Sequence, residues 1–244
     1  MKVSFLFSAL LAALVAGVGA AQARDAAVLE SLFVTERCQP THACLFTYTL
    51  ASLTGAAIDG VEARIGPRDP GYMLLGVEFV ERGSAGIWFP GNKDHVVIQL
   101  TESAMVDEKR ALFQLAHEAF HTVTPVPGSV NVLEEGMATE FSLDFVRDRG
   151  FDISPDYIAS HRYARALAAV TCLRGLEPEL NARITALRAG GVKLGKVTAQ
   201  QLATALPGVP RALIDGLVLP FDRIDEIEAT LSAYCGAANA TANR

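Results

Sequence analysis

The sequence predicts an α+β fold, with an N-terminal, mostly antiparallel sheet followed by a helical C-terminal half. Two observations carry this expectation. Up to about residue 102, short runs alternate in polarity or are rich in β-branched and aromatic residues, as strands are. Beyond Ser103 the apolar residues recur at helical spacing. Strands gathered before helices, rather than alternating with them, mark α+β organisation. A third feature is the stretch DEKRALFQLAHEAFHT at 107–122, a helix at the junction about which the remaining elements are arranged.

The chain opens MKVSFLFSALLAALVAGVGAAQA. Lys2 supplies a positive start, Val3 to Val18 an apolar run, and Ala21-Gln22-Ala23 a small-residue cleavage site. Residues 1–23 therefore read as a signal peptide, with Arg24 as the first mature residue. This predicts an exported protein, periplasmic or secreted, with no stable membrane anchor once the leader is removed. Residues 24–244 are expected to form one domain, β-rich over 25–102 and helical over 103–235, with a loose tail at 236–244.

The whole chain carries a net charge of −6, and losing the one cation Lys2 with the leader makes it −7. An acidic chain without a basic run is a poor match for nucleic acid. Composition does not speak to the oligomeric state. Four cysteines in an exported chain predict two disulfides. The preferred pairing is Cys38–Cys44, closing CQPTHAC, with Cys172–Cys235 joining two C-terminal helices. His42 reads as an exposed residue of the small loop.

The expected strands are 44–51 (CLFTYTLA), 60–65 (GVEARI), 73–81 (MLLGVEFVE) and 94–101 (DHVVIQLT), separated by glycine- and proline-containing turns. Ser103 or Asp107 can cap the junction helix, and Pro125 and Pro127 end it. A second helix is expected at about 131–149, closed by Gly150. A third starts at Ser154-Pro155-Asp156 and runs to about Cys172. Short helices at 177–190, 198–206, 209–218 and 222–235 complete the chain.

The junction helix carries His117-Glu118-Ala119-Phe120-His121. Histidines at i and i+4 project from one face, one turn apart, and both imidazoles can reach one metal ion. Glu118 is rotated about 100° from His117. It can thus stand beside the metal without binding it, where it can take a proton from a water that the metal activates. This is the H-E-x-x-H arrangement of zinc hydrolases. Leu112, Phe113, Leu115, Ala116, Ala119 and Phe120 cover most of the helix, so the histidines are expected inside, where they need partners.

A catalytic zinc site usually has three protein ligands and one open position. The third should come from the next helix, where Glu134, Glu135 and Glu140 are available. A helical wheel of 133–146 puts Glu134 nearest the centre of the Leu133, Met137, Phe141, Phe145 stripe, so burial alone favours Glu134.

The pair HEAFH and LEEGMA resembles the gluzincin metallopeptidases, the group that includes thermolysin and aminopeptidase N. The likeness covers about 94–170 and implies a zincin-like catalytic domain. In that group a second-helix glutamate binds the metal and is often followed by Gly-x-Ala, which Glu135, Gly136 and Ala138 match. The resemblance therefore implies His117, His121 and Glu135 as zinc ligands and Glu118 as general base. Gly136, lacking a side chain, would let the two helices approach around the metal. The residues after His121 are TVTPVPG, without the third histidine of the metzincins.

Aminopeptidase-like gluzincins stabilise the oxyanion with a tyrosine on a following helix. YARAL at 163–167 resembles that segment and favours Tyr163, with His161 and Tyr157 as the other candidates. An edge strand before the metal helix pairs with substrate in the group. DHVVIQL at 94–100 takes that place, as an edge strand or an ordinary core one, and GSAGIWFPGN could form the rim of the cleft.

The function expected is zinc-dependent hydrolysis of a peptide or protein substrate. Two alternatives stay open. One is a non-catalytic secreted protein with a structural zinc, Glu134 or Glu140 supplying a fourth ligand. The other is a zinc hydrolase of a non-peptide bond.

Overall fold

The structure is a computed structural model that describes residues 46–242 apart from 82, 92 and 93. The expected leader, the Cys38–Cys44 pair, His42 and the first residues of the β-rich region lie outside the described residues. The chain divides into two compact units, Met1–Ser52 and Leu53–Arg244. Of the first, the described part is the start of helix α1, Phe46–Ile65. The second holds all the other elements.

Helix α1 occupies the ground of two expected strands, 44–51 and 60–65. The buried residues Thr54, Ala57, Ile58, Val61 and Ile65 recur at helical spacing. Their β-branched side chains give the local impression of strands. Gly55, which looks like a turn signal, and Gly60, the first residue of an expected strand, are both accommodated within the helix.

The sheet has three strands: β1, Met73–Val80; β2, Gly86–Trp88; and β3, His95–Thr101. Its order is β1-β3-β2, so β3 is central. β1 runs parallel to β3, from Met73 opposite His95 to Val80 opposite Thr101, with a bulge between Leu74 and Gly76. β2 is antiparallel to β3, with Ile87 opposite Ile98. The sheet is thus mixed rather than mostly antiparallel. Val96, Val97, Ile98 and Leu100 of β3 are buried, as a strand with neighbours on both sides requires. Of the two readings left open for 94–100, the core strand is the one found and the edge strand is not; β2, in the segment expected to form a rim, is an edge.

A short 3₁₀ turn at Glu102–Val106 leads to α2, Glu108–His121. Asp107 caps α2, its carboxylate accepting from the Arg110 amide at 3.0 Å. Ala111, Leu112, Leu115, Ala116, Ala119 and Phe120 are buried around α2. Helix α3, Val132–Arg147, is capped by Asn131, which accepts from the Glu134 amide at 2.9 Å. The Asn131 amide group donates to Leu194 O at 2.7 Å, and the Val132 and Phe221 amides exchange bonds with Leu219 and Val130 carbonyls. These bonds hold the start of α3 at a fixed depth.

After a 3₁₀ turn at Pro155–Tyr157 comes α4, His161–Leu176. α3 packs on both α2 and α4. The rest is helical: α5, Leu180–Ala189; α6, Ala199–Ala205; α7, Arg211–Leu217; and α8, Glu228–Ala242, with 3₁₀ turns at Leu194–Lys196 and Phe221–Ile227. α8 runs past 235, where the sequence reading ends the helical part; its alanine-rich end has high helix propensity. Cys172 of α4 and Cys235 of α8 form the expected disulfide. No helix among the described residues is long and apolar enough to cross a membrane.

Candidate metal centre

The i, i+4 spacing on α2 brings the rings of His117 and His121 to 5.0 Å, edge to face. α3 crosses this face and delivers Glu135. Its Oε2 lies 3.1 Å from His117 Nε2 and 3.6 Å from His121 Nε2. One donor atom from each of the three residues falls within 4.8 Å of the others, and all three residues are buried. Two ligands held about 2.0–2.1 Å from a tetrahedral ion stand about 3.4 Å apart. The two observed separations bracket that spacing, so the donor set fits a metal ion.

Glu134 is the most buried of the acidic candidates, as the wheel indicates, yet it serves another atom. Its Oε1 accepts from His121 Nδ1 at 2.7 Å. With the Nδ1 proton committed there, loss of the other ring proton would leave the lone pair on Nε2, which faces Glu135. Such a carboxylate partner fixes both tautomer and ring orientation of a metal-binding histidine. The other oxygen, Oε2, is buried without a hydrogen-bond partner among the described residues. It sits against Gly195, where a Cβ would come within 2.7 Å. Glu140 is elsewhere: Arg174 grips it with two bonds of 2.5 and 2.6 Å, tying α3 to α4.

Glu118 is buried beside the cluster and faces the cleft without joining the donor set. Burial raises its pKa, and Glu135 adds to that, against the pull of the two imidazoles. A carboxylate disfavoured as an anion is one that readily accepts a proton. For Glu135 burial also pushes upward, but His121 and His117 outweigh it and leave the pKa well below the ordinary value. His121 is the counterpart. Burial lowers its pKa, while Glu135 and Glu134 more than reverse this and raise it well above the usual range.

Tyr163 of α4 packs its ring 5.3 Å from that of His117 and 4.8 Å from Phe221. Burial raises its pKa, with Glu135 and Glu118 adding to the effect, so it remains a proton-bearing donor. α4 can come this close because of Gly136. A Cβ there would lie 2.4 Å from Ala166 O and 2.6 Å from Val170 Cγ2. The missing side chain thus admits α4, not the histidine helix as expected.

His161 is not brought to the site. Two residues earlier on α4 it points about 200° away from Tyr163. Its side chain is 71% exposed, with Nε2 3.7 Å from Asp225. Tyr157 stands off the cluster, packed edge-on against Phe113 at 5.5 Å.

Two connected cavities flank the cluster. One, of about 410 Å³, runs along α2 past Phe113 and Tyr157. The other, of about 460 Å³, lies between Ala85–Phe89 and Val126–Val130. Ala85, His117, Glu118 and Tyr163 border both. The sheet edge at β2 therefore follows the cleft. Sequence reasoning missed Glu134 as partner of His121, although its neighbouring position was visible. It also missed Phe221 behind Tyr163, for which no local signal existed.

The fold and site define a mixed α+β protein with a buried two-histidine, one-glutamate group able to bind a metal ion. No family model matches the chain, and neither a curated protein nor a solved structure matches it.

Proposed function

We propose that the protein is an exported, zincin-like zinc peptidase of the gluzincin kind. The observation that carries this reading is Glu118: a third buried carboxylate, beside the donor set but outside it, and open to the cleft. Two imidazole nitrogens and one carboxylate oxygen are a donor set suited to zinc. When bound, zinc would polarise a substrate carbonyl and make water acidic near neutral pH.

The chain's own groups supply the rest. Glu118 takes a proton from the attacking water and passes it to the leaving amine. Tyr163 donates to the carbonyl oxygen as negative charge builds there. The edge of β2 offers backbone groups to an extended substrate. Export is supported by the Ala21-Gln22-Ala23 site and by the Cys172–Cys235 disulfide.

The structural-zinc alternative is weakened by the same geometry. A closed structural site needs four protein ligands, but Glu134 is committed to His121 Nδ1 and Glu140 to Arg174. Among the described residues three donors are left, and a site of three would keep one position free for chemistry.

The test pairs metal analysis with catalysis. Purified mature protein should hold about one zinc per chain. His117→Ala and His121→Ala should each lose it. Glu118→Gln should keep it while peptide hydrolysis falls by about 10²–10⁴-fold, the usual contribution of a general base. If Glu118→Gln cleaves as fast as wild type, the mechanism is wrong. Hydrolysis of esters or other bonds with peptides untouched would favour the non-peptide reading.

A further inference from the structure

Among the described residues two buried side-chain polar atoms have no hydrogen-bond partner, and they belong to groups of opposite charge: Glu134 Oε2 and Arg188 Nε. Glu134 gives its other oxygen to His121 Nδ1 at 2.7 Å. Oε2 is closed in at Gly195, where a Cβ would meet it at 2.7 Å and Val130 Cγ1 at 2.8 Å. The salt bridge of Glu134 is with His121, and among the described residues no lysine or arginine bonds it. A buried carboxylate whose second oxygen meets no donor is held at that end by charge alone, and needs a cation near it.

Arg188, in the last turn of α5, supplies that cation. Its Nη1 donates to the carbonyls of Ile65 and Gly66, the latter at 2.8 Å, and its Nη2 to Pro67 O at 2.6 Å. Nη2 also reaches Val123 O, two residues past His121, at 3.5 Å. The fork thus ties the end of α1 to the end of the histidine helix, and every acceptor it uses is a neutral carbonyl. Burial lowers the Arg188 pKa; of the carboxylates that oppose this, Glu134 acts most strongly, ahead of Glu62 and Asp69. Those two are engaged in exposed contacts, Glu62 with the Arg68 amide at 3.0 Å and Asp69 with the Gly71 amide at 2.9 Å. Between buried charges screening is weak, so attraction does not require a direct hydrogen bond.

We propose that Arg188 is a positioning residue of the metal centre. Fixed on the carbonyls that end α1 and follow α2, its charge holds the Glu134 carboxylate where it accepts from His121 Nδ1. That in turn sets the ring so that Nε2 faces the metal, an inference that rests on the reading of His117, His121 and Glu135 as metal ligands. Arg188 touches neither metal nor substrate and acts through Glu134. Removing its charge should therefore weaken metal binding only while Glu134 carries a charge of its own.

Zinc affinity, measured by competition with a chelating dye, tests this in a double-mutant cycle. Arg188→Gln keeps donors for the carbonyls and removes the charge. It should weaken zinc by about tenfold, the low end for a group that orients a ligand. In a Glu134→Gln background the acceptor for His121 remains and the charge does not. There the same change should alter affinity by less than about twofold. Arg188→Lys keeps the charge without the planar fork. It should bind zinc within about threefold of wild type, although it unfolds at lower urea concentration in chelator. Should Arg188→Gln not fold, Arg188→Lys decides alone. No loss in Arg188→Gln overturns the proposal. So does an equal loss in both backgrounds, or a loss of about tenfold in Arg188→Lys, because each would mean that the carbonyl bonds alone support the site. These results leave the metal reading standing. Wild-type protein that binds no zinc overturns that reading, and this proposal with it.

Discussion

Glu134 and Glu135 are neighbours in the chain, and α3 turns them about 100° apart. That rotation is enough to send one to His121 Nδ1 and the other to the two Nε2 atoms. Removing each should therefore have a different effect on metal affinity. Glu135→Ala deletes a ligand and should abolish tight binding. Glu134→Ala leaves all three ligands but frees the His121 ring, and loss of such a partner typically weakens metal by about 10–100-fold. Glu140→Ala should leave affinity unchanged, since its partner is Arg174. Competition with a chelating dye would rank the three. Wild-type affinity in Glu134→Ala would show that the His121 contact does not orient the ring. At this scale the histidine pair and Glu118 were legible because helix spacing alone sets their relation. The roles of the two glutamates were not legible from burial, which favoured Glu134; only the resemblance pointed to Glu135, the one found in the donor group. A wheel reports how buried a carboxylate is, and both are buried; which atom each meets depends on where α2 lies across α3. His161 failed for a related reason, because nearness in sequence to Tyr163 is not nearness on a helix.

Among the elements, α1 and the sheet departed furthest from expectation, and the reasons are physical. Residues 53–65 have a helical burial period, but β-branched residues mimic strand and Gly55 mimics a turn over any short window. Strand order within a sheet is set by tertiary pairing, so nothing in DHVVIQL could place β3 at the centre. The α2–α3–α4 contact was better signalled, through Gly136, although its partner was misjudged. A prediction follows for that contact. Gly136→Ala puts a Cβ 2.4 Å from a backbone oxygen of α4, which cannot rotate away. Overpacking costs about 1–3 kcal/mol, against a helix-propensity gain of up to about 1 kcal/mol. The net expectation is a loss of about 1–2 kcal/mol in urea unfolding. Displacement of α4 should also lower catalysis through Tyr163 with zinc retained. Gly55→Ala, on α1 with open space around it, is the control and should be neutral or slightly stabilising. Equal stability of the two variants would mean that the close approach is not enforced.

At the scale of the whole molecule, the metal ligands lie on α2 and α3, while the disulfide binds α4 to the last helix. The two cross-links thus act on different parts of the fold, and their effects on stability should separate. Cys172 and Cys235 are 63 residues apart in sequence. Restricting an unfolded loop of that length is worth at most about 4 kcal/mol on chain entropy, and observed values run about 2–4 kcal/mol. The double variant Cys172→Ser/Cys235→Ser should therefore lose about 2–4 kcal/mol. Zinc at 100 times its dissociation constant should add about 2.7 kcal/mol to whichever protein carries the intact ligand set. Because no ligand is on α4 or α8, the zinc increment should be the same with and without the disulfide, additive to within about 0.5 kcal/mol. Denaturant unfolding of the four species, wild type and double variant with zinc and with chelator, closes the cycle. A zinc increment that vanishes in the double variant would show that the α4–α8 cross-link holds the metal helices in place, and that the two anchors form one cooperative unit.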